Sequence, residues 1–215
     1  MQIAIAVYDR FTALDAIGPY AVLGNLPGAE VTFVAAERGP IADDTALKVV
    51  AETSFAEVTA PDVIVVPGGL ITRKMARDGH PVIDWIRAVH PTTTWTTSVC
   101  TGALLLAAAG VLDGVDATTH WLAYDQLAAL GACPTSERVV VRGTVVTGAG
   151  VSAGIDMALT LAERIAGTFT AQAIQLGIEY DPQPPFDAGS PASAPPEIYE
   201  VLSDAMRRAE EELLA

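Results

Sequence analysis

The residue best suited to covalent chemistry is Cys100, which follows a predicted strand ending at Val99 and precedes Thr101-Gly102. The helix-forming run of residues 103 to 109 comes next, so the pattern predicts a cysteine at a strand–turn–helix elbow. At such an elbow the N–H groups of the helix point toward the thiol, and we expect its pKa to fall below the free value of about 8.5. The thiolate is the nucleophilic form, and a buried structural cysteine is the alternative interpretation.

A second strand end is predicted to complete the pocket around this elbow. The β-branched run of residues 62 to 66 stops at Pro67-Gly68-Gly69, where glycines leave the backbone N–H groups unobstructed. We predict an oxyanion hole formed by the N–H groups of Gly69 and Thr101, with Gly68 beside them. The alternative is that the two glycines only turn the chain.

Asp15 lies just beyond the loop that follows the first predicted strand, close to a predicted helix start. An acidic residue at this position commonly caps the helix. If its carboxyl instead shares a pocket with Cys100, the second negative charge is disfavoured and the two groups hold one proton between them. Asp15 is therefore a candidate acid catalyst.

His120, followed by Trp121, is the one histidine that does not directly precede a proline. It is a candidate base or a residue that supports the site from its periphery, and a hydrogen-bonded structural histidine is the alternative. Cys133, in a loop without a helix start, is assigned no role. We find no close His/Cys/Glu cluster, and residues 148 to 154 fit neither a phosphate loop nor a dinucleotide fingerprint. The sequence therefore predicts no metal and no other cofactor.

Strands and helices alternate along the chain. Predicted strands cover residues 2 to 8, 30 to 36, 46 to 51, 62 to 66 and 94 to 99, with a hairpin at 138 to 147. The first predicted helix runs through residues 20 to 23, with Gly18 and Pro19 in its first turn. Further helices are predicted around residues 82 to 86, at 103 to 109, at 121 to 130 and in two segments across 151 to 178. A closing helix is predicted from Glu197, after a proline-rich loop. This alternation predicts one α/β domain over residues 1–215, with a mostly parallel sheet covered by helices on both faces.

Composition narrows the possible partners. The chain has 12 basic and 26 acidic residues, a formal charge of −14 and no basic cluster, so we expect no nucleic-acid partner. It is 51% hydrophobic and 18% charged, without an apolar stretch long enough to span a bilayer, so we expect a soluble protein that does not bind membranes. Residues 1 to 8 lack the features of a signal peptide, and we expect a cytoplasmic location with both cysteines as thiols.

The motifs at the two strand ends resemble the ThiJ/PfpI superfamily, which is related to glutamine amidotransferase domains. The segments that carry this resemblance are Pro67-Gly68-Gly69 and residues 98 to 103. Three further segments, residues 14 to 19, 118 to 121 and 179 to 191, resemble the isonitrile hydratases within that superfamily. The resemblance covers nearly the whole chain and implies a flavodoxin-like three-layer sandwich, usually dimeric. It also implies that Cys100 is the nucleophile, with Asp15 as an essential carboxyl and Thr101 beside the thiol.

The activity implied by the resemblance is hydration of an isonitrile to an N-substituted formamide, without a cofactor. Thr101 stands where protease-like members have a histidine after the nucleophile, which argues against a peptidase. Asp15 stands where many members have Glu, which favours the hydratases over the glyoxalase-like branch. Two alternatives stay open: a glyoxalase-like enzyme acting on small α-oxoaldehydes, and a non-enzymatic redox or ligand sensor based on Cys100.

Overall fold

The fold is built around a seven-stranded sheet, seen in a computed structural model that describes residues 1–214. The strands of these residues are β1 (Gln2–Ala6), β2 (Glu30–Ala35), β3 (Gly39–Ala42), β4 (Lys48–Ala51), β5 (Thr53–Ser54), β6 (Val63–Val66), β7 (Trp95–Val99), β8 (Asp116–Ala117), β9 (Cys133–Pro134), β10 (Val139–Arg142) and β11 (Val145–Gly148). The central order is β10-β11-β7-β6-β1-β2-β5, in which the β10–β11 pair alone is antiparallel. The predicted mostly parallel sheet is confirmed.

Helices cover both faces of this sheet. They are α1 (Ala13–Leu23), α2 (Thr72–Asp78), α3 (Pro81–Val89), α4 (Gly102–Ala108), α5 (Tyr124–Ala129), α6 (Ala153–Gly177) and α7 (Pro196–Leu214), with 3-10 turns at His90–Thr92 and Trp121–Ala123. α1 and α6 pack against each other, while α4 packs against α2, α3, β6 and β7. All four residues of β6 are buried, as expected for a strand covered on both faces. None of the helices in residues 1–214 has the length and apolar character needed to cross a bilayer.

The first helix differs from the sequence-based prediction. We expected a short helix with Gly18 and Pro19 in its first turn, but α1 begins at Ala13 and contains both residues in its interior. Close packing against α6 explains this, because a Cβ on Gly18 would lie 3.2 Å from Ile155 Cγ1. Tertiary contact thus overrides the local preference of these two residues, and Asp15 falls in the first turn of α1.

Other predicted elements agree with the structure more closely. The hairpin at 138 to 147 is β10–β11, and the two helices expected across 151 to 178 are the halves of α6 on either side of Gly167, which has φ 84°. The predicted strand at 46 to 51 is β4, which pairs with β3 in a separate two-stranded sheet. The closing helix is α7, one residue longer at its start than predicted.

The order of the strands determines where a site forms. From β1 the chain proceeds through β2 to β5 at one edge of the sheet, and it then returns to β6 on the other side of β1. In open parallel sheets this change of direction leaves a crevice at the carboxyl ends of the strands. The segments that follow β1, β6 and β7 meet there, and they carry Asp15 in the first turn of α1, the Pro67–Gly69 turn and Cys100.

Candidate active site

Cys100 occupies a strained elbow between β7 and α4. Its φ of 56° lies in the left-handed region that non-glycine residues seldom adopt. Surrounding hydrogen bonds hold the residue there: its N–H donates to the carbonyl oxygens of Gly148 and Ala149 at 3.0 and 2.9 Å, and its own carbonyl accepts from Thr119 Oγ1 at 2.9 Å. Backbone strain that is maintained in this way is typical of functional sites.

The start of α4 packs directly against the end of β6. A Cβ on Gly102 would lie 2.1 Å from the carbonyl oxygen of Val66, so a larger residue cannot occupy this position without displacing the helix. The glycine after the Cys100-Thr101 pair therefore brings the elbow next to the Pro67–Gly69 turn. This contact unites the two strand ends that the sequence predicted to face each other.

Asp15 binds this turn and does not cap its own helix. The carboxyl is fully buried, and its Oδ2 accepts the N–H of Gly68 at 2.8 Å. Gly68 is held tightly, since a Cβ there would lie 2.6 Å from Thr101 N and 2.8 Å from Asp15 Oδ2. Asp15 Oδ1 is buried without a hydrogen-bond partner of good geometry in the described part of the chain.

Thr101 connects the elbow to the second glycine of the turn. Its Oγ1 accepts the N–H of Gly69 at 3.0 Å, and its hydroxyl proton is directed either to the Gly69 carbonyl oxygen at 3.0 Å or to the Cys100 sulfur. The N–H groups of Gly68 and Gly69 are thus both engaged by side chains. The predicted oxyanion hole from Gly69 and Thr101 stays a prediction, and it requires Thr101 Oγ1 to release the Gly69 N–H.

Asp15 and Cys100 influence each other's proton affinity. Burial is the main cause that raises the pKa of Asp15 to about 7, against hydrogen bonds from Gly68 and the Cys100 thiol that lower it. Burial and then the charge of Asp15 raise the pKa of Cys100. The expected lowering of the thiol pKa is wrong, because these two effects outweigh the amides of a helix only seven residues long. The pair therefore holds two protons below about pH 7 and one proton above it, and the remaining proton lies mainly on the Cys100 thiol.

Two backbone N–H groups face the Cys100 sulfur, those of Thr101 and Val151, and both favour the thiolate. Val151 lies between β11 and α6, and sequence reasoning did not find it. Residue type does not show where a backbone N–H group will point. The only signal for Val151 was that it follows the end of β11, a strand end that faces the elbow. These two amides provide the local stabilisation of negative charge that the elbow alone was expected to supply.

A cavity of about 410 Å³ opens beside the elbow. Its wall includes Thr119, Ala149 and Val151, each of which hydrogen-bonds Cys100, although the thiol itself is not part of the wall. His120 and Trp121 line the same cavity, with their ring centroids 5.5 Å apart. The cavity is large enough for a small organic molecule next to the Cys100 elbow.

His120 is a neutral group in this wall. Burial and, to a lesser degree, the charge of Arg73 lower its pKa to about 4, and its Nδ1 accepts the N–H of Leu122 at 3.3 Å. Within residues 1–214 no hydrogen bond joins its ring to Cys100 or Asp15. The geometry agrees with a role at the periphery of the site, and a direct role as base stays a prediction.

The described residues contain no group of three or more His, Cys, Asp or Glu side chains arranged to hold a metal ion. Cys133 is an exposed free thiol on the short strand β9, and Cys100 is also free. The groups gathered at the carboxyl end of the parallel strands thus include the Cys100 thiol, the Asp15 carboxyl, the Thr101 hydroxyl and a set of backbone amides.

Comparison with known proteins agrees with this architecture. Residues 1–164 match the DJ-1/PfpI family, and the chain belongs to that family. It is 44% identical to the isonitrile hydratase of Pseudomonas putida over 209 aligned residues, and this alignment covers 97% of this chain and 90% of that protein. It is also similar to the crystal structure of a ThiJ/PfpI family protein from Pseudomonas syringae, with a TM-score of 0.94, 36% identity, and coverage of 99% of this chain and 88% of that one. Protein DJ-1 homolog A of Arabidopsis thaliana is 28% identical over 175 residues, which span 80% of this chain and 44% of that protein.

Proposed function

We propose that the chain is an isonitrile hydratase, which converts R–N≡C and water into the formamide R–NH–CHO. The observation that carries the proposal is the buried Asp15–Cys100 pair at a strained elbow, which holds a single proton above about pH 7, in a chain 44% identical to the Pseudomonas putida isonitrile hydratase. The substrate is a neutral small molecule, and the reaction needs an acid and a nucleophile but no electron transfer.

The first step uses the pair in the form with a carboxylic acid and a thiolate. Asp15 gives its proton to the terminal carbon of the isonitrile, and the Cys100 sulfur forms a bond to the same carbon. The product is a covalent thioimidate, R–N=CH–S–Cys, and Asp15 is left as the carboxylate. Because Oδ2 is held by the Gly68 N–H, the unpartnered Oδ1 is the oxygen that delivers the proton.

Water completes the reaction. It adds to the thioimidate carbon, with one of its protons ending on the substrate nitrogen and the other on Asp15, which now acts as base. The carbon–sulfur bond then breaks and releases the formamide and the Cys100 thiolate. The N–H groups of Thr101 and Val151 stabilise the thiolate as it leaves, and the Thr101 hydroxyl orients the thiol or the water.

The R group is assigned to the cavity beside the elbow. Its walls combine apolar groups such as Leu14, Trp121 and Pro191 with few charged ones. Arg138, the charged residue of this wall, is paired with Asp156. A neutral aliphatic or aromatic R group therefore fits the cavity better than a charged one.

Turnover of cyclohexyl isocyanide tests the proposal, with the formamide followed by chromatography. We expect wild type and Cys133→Ala to form the product and Cys100→Ala to form none, with all three equally folded by circular dichroism. The Cys133→Ala protein is a matched control because it loses an exposed thiol outside the site. A fully active Cys100→Ala protein contradicts the mechanism. Lactate formed from methylglyoxal, with no isonitrile turnover, replaces the proposal with the glyoxalase-like alternative.

We also propose that two copies of the chain form a dimer. Phe169 and Leu176 lie seven residues apart, on one face of the second half of α6, and are 86% and 81% exposed. Two large apolar side chains on one exposed helix face are typical of a surface that is buried against a partner, here a second copy of the chain. Light scattering of wild type and Leu176→Glu tests this: a dimer that becomes a monomer supports it, and a wild-type monomer contradicts it.

A further inference from the structure

Tyr8 is buried directly behind the Pro67–Gly68 turn. The residue is 3% exposed and follows the end of β1. Its hydroxyl donates a hydrogen bond to the carbonyl oxygen of Pro67 and lies 3.5 Å from the carbonyl oxygen of Gly68. A buried tyrosine hydroxyl requires such a partner, so the tip of the ring is fixed against the back of the turn.

The carbonyl of Pro67 and the N–H of Gly68 belong to one planar peptide group. That N–H donates to Asp15 Oδ2 at 2.8 Å. Tyr8 and Asp15 therefore bind opposite ends of the same peptide, and each hydrogen bond strengthens the other by polarising the group between them. If the Tyr8 hydroxyl is removed, the peptide loses the contact that fixes its rotation and becomes a weaker donor to the carboxyl.

We propose that Tyr8 is a positioning residue that acts on Asp15 through the Pro67–Gly68 peptide. By holding the Pro67 carbonyl, Tyr8 keeps the Gly68 N–H directed at Oδ2 and leaves Oδ1 free to carry the proton for the substrate. The effect on turnover rests on the proposed function. The effect on the proton affinity of Asp15 does not, since the reactivity of Cys100 reports it without any substrate.

The charges around Tyr8 keep its hydroxyl protonated. Burial, and then the charges of Asp15 and Cys100, raise the pKa of Tyr8 well above its usual range, so it is a donor at every pH of interest. Asp44 adds a charge that raises the pKa of Asp15. His80 packs edge-on against the Tyr8 ring at 6.0 Å between centroids, and burial lowers its pKa. Neither Asp44 nor His80 hydrogen-bonds the Pro67–Gly68 peptide within residues 1–214.

The test compares Tyr8→Phe with Tyr20→Phe, which makes the same chemical change on α1 at a tyrosine 44% exposed. Iodoacetamide labelling of Cys100 is followed by peptide mass spectrometry from pH 5 to 9, beside kcat and KM for an isonitrile. In Tyr8→Phe we expect kcat to fall about five-fold, the equivalent of about 1 kcal/mol, with KM unchanged. In this pH range the labelling follows the loss of the first proton from the Asp15–Cys100 pair, because the minor carboxylic acid–thiolate form arises only then. The midpoint of this step, near pH 7 in wild type, should rise by about half a pH unit, because Asp15 loses part of its hydrogen bond.

A second comparison separates positioning from packing. In an Asp15→Asn background, Tyr8→Phe should leave the labelling profile unchanged, because the group on which Tyr8 acts no longer titrates. An unshifted labelling midpoint in Tyr8→Phe overturns the proposal, whatever its effect on thermal stability. If wild type hydrates no isonitrile, the proposed function fails, and the labelling profiles still decide the role of Tyr8.

Discussion

Replacement of Gly68 by alanine places one methyl group between Asp15 and Thr101 in the candidate active site. The new Cβ would lie 2.6 Å from Thr101 N and 2.8 Å from both Thr101 Oγ1 and Asp15 Oδ2, whereas ordinary contact begins at 3.4 Å. The neighbours must retreat by about 0.6 to 0.8 Å, which exceeds the range of about 0.5 Å over which N–H···O hydrogen-bond distances vary. Since a misplacement of about 1 Å can lower a rate about 100-fold, we expect kcat to fall about 30- to 100-fold.

Stability should fall by about 1 to 3 kcal/mol, as is usual for overpacking in a buried site. The assay is formamide production at saturating isonitrile, with urea unfolding measured in parallel. Gly177→Ala is the matched control, because its Cβ meets nothing within 4 Å at the end of α6, and it should keep wild-type kcat. A Gly68→Ala protein with wild-type kcat refutes the assignment of Asp15 and Thr101 to one tightly packed site.

Two further substitutions test the buried charges. Asp15, with a folded pKa of about 7, keeps a proton that the unfolded carboxyl releases near pH 3.8, so stability falls as pH rises between these values. Asp15→Asn should therefore be more stable than wild type at pH 8 by up to about 4 kcal/mol and nearly equal at pH 4, as urea unfolding at the two pH values will show. Glu210 on α7 pairs with the buried Arg73 at 3.1 Å, so Glu210→Ala should cost about 3 kcal/mol, the low end for a broken buried pair because Glu210 is partly exposed. Glu211 forms no ion pair within residues 1–214, so Glu211→Ala should cost little in the same unfolding assay.

Sequence reasoning predicted the sheet and the position of the site because both depend on strong local patterns. β-branched runs that stop at glycines identify strand ends, and parallel strands bring those ends to one edge. The same reasoning misplaced the start of α1, since Gly18 and Pro19 are poor helix formers whose position is decided by contact with α6. It also did not find β3, the partner of β4, because a four-residue strand containing a proline has a weak pattern.

The structure brings together the site side chains that were predicted from the sequence, but the hydrogen bonds they form could not be predicted. Asp15 was identified by residue type and the Thr101 side chain through the family resemblance, whereas the amides they bind, at Gly68 and Gly69, depend on backbone rotation that the sequence does not encode locally. Tyr8 was treated as part of an apolar strand, although a buried tyrosine hydroxyl needs a hydrogen-bond acceptor, here the carbonyl oxygen of Pro67. This need for an acceptor is the signal by which Tyr8 could have been identified as a neighbour of the site.

The raised thiol pKa of Cys100 is compatible with nucleophilic attack because the proton needed for the first step is the one that leaves the thiol. A thiol whose pKa was strongly lowered would stand as a thiolate before any substrate bound, beside a carboxyl that the thiolate charge keeps protonated, and would be exposed to alkylation and oxidation. Burial of both groups keeps one proton within the pair. The amides of Thr101 and Val151 favour its transfer to Asp15, while the Gly68 N–H opposes it. The isonitrile carbon accepts both the proton and the sulfur, so the pair reaches its reactive form only as the substrate uses it, which limits side reactions of a free thiolate.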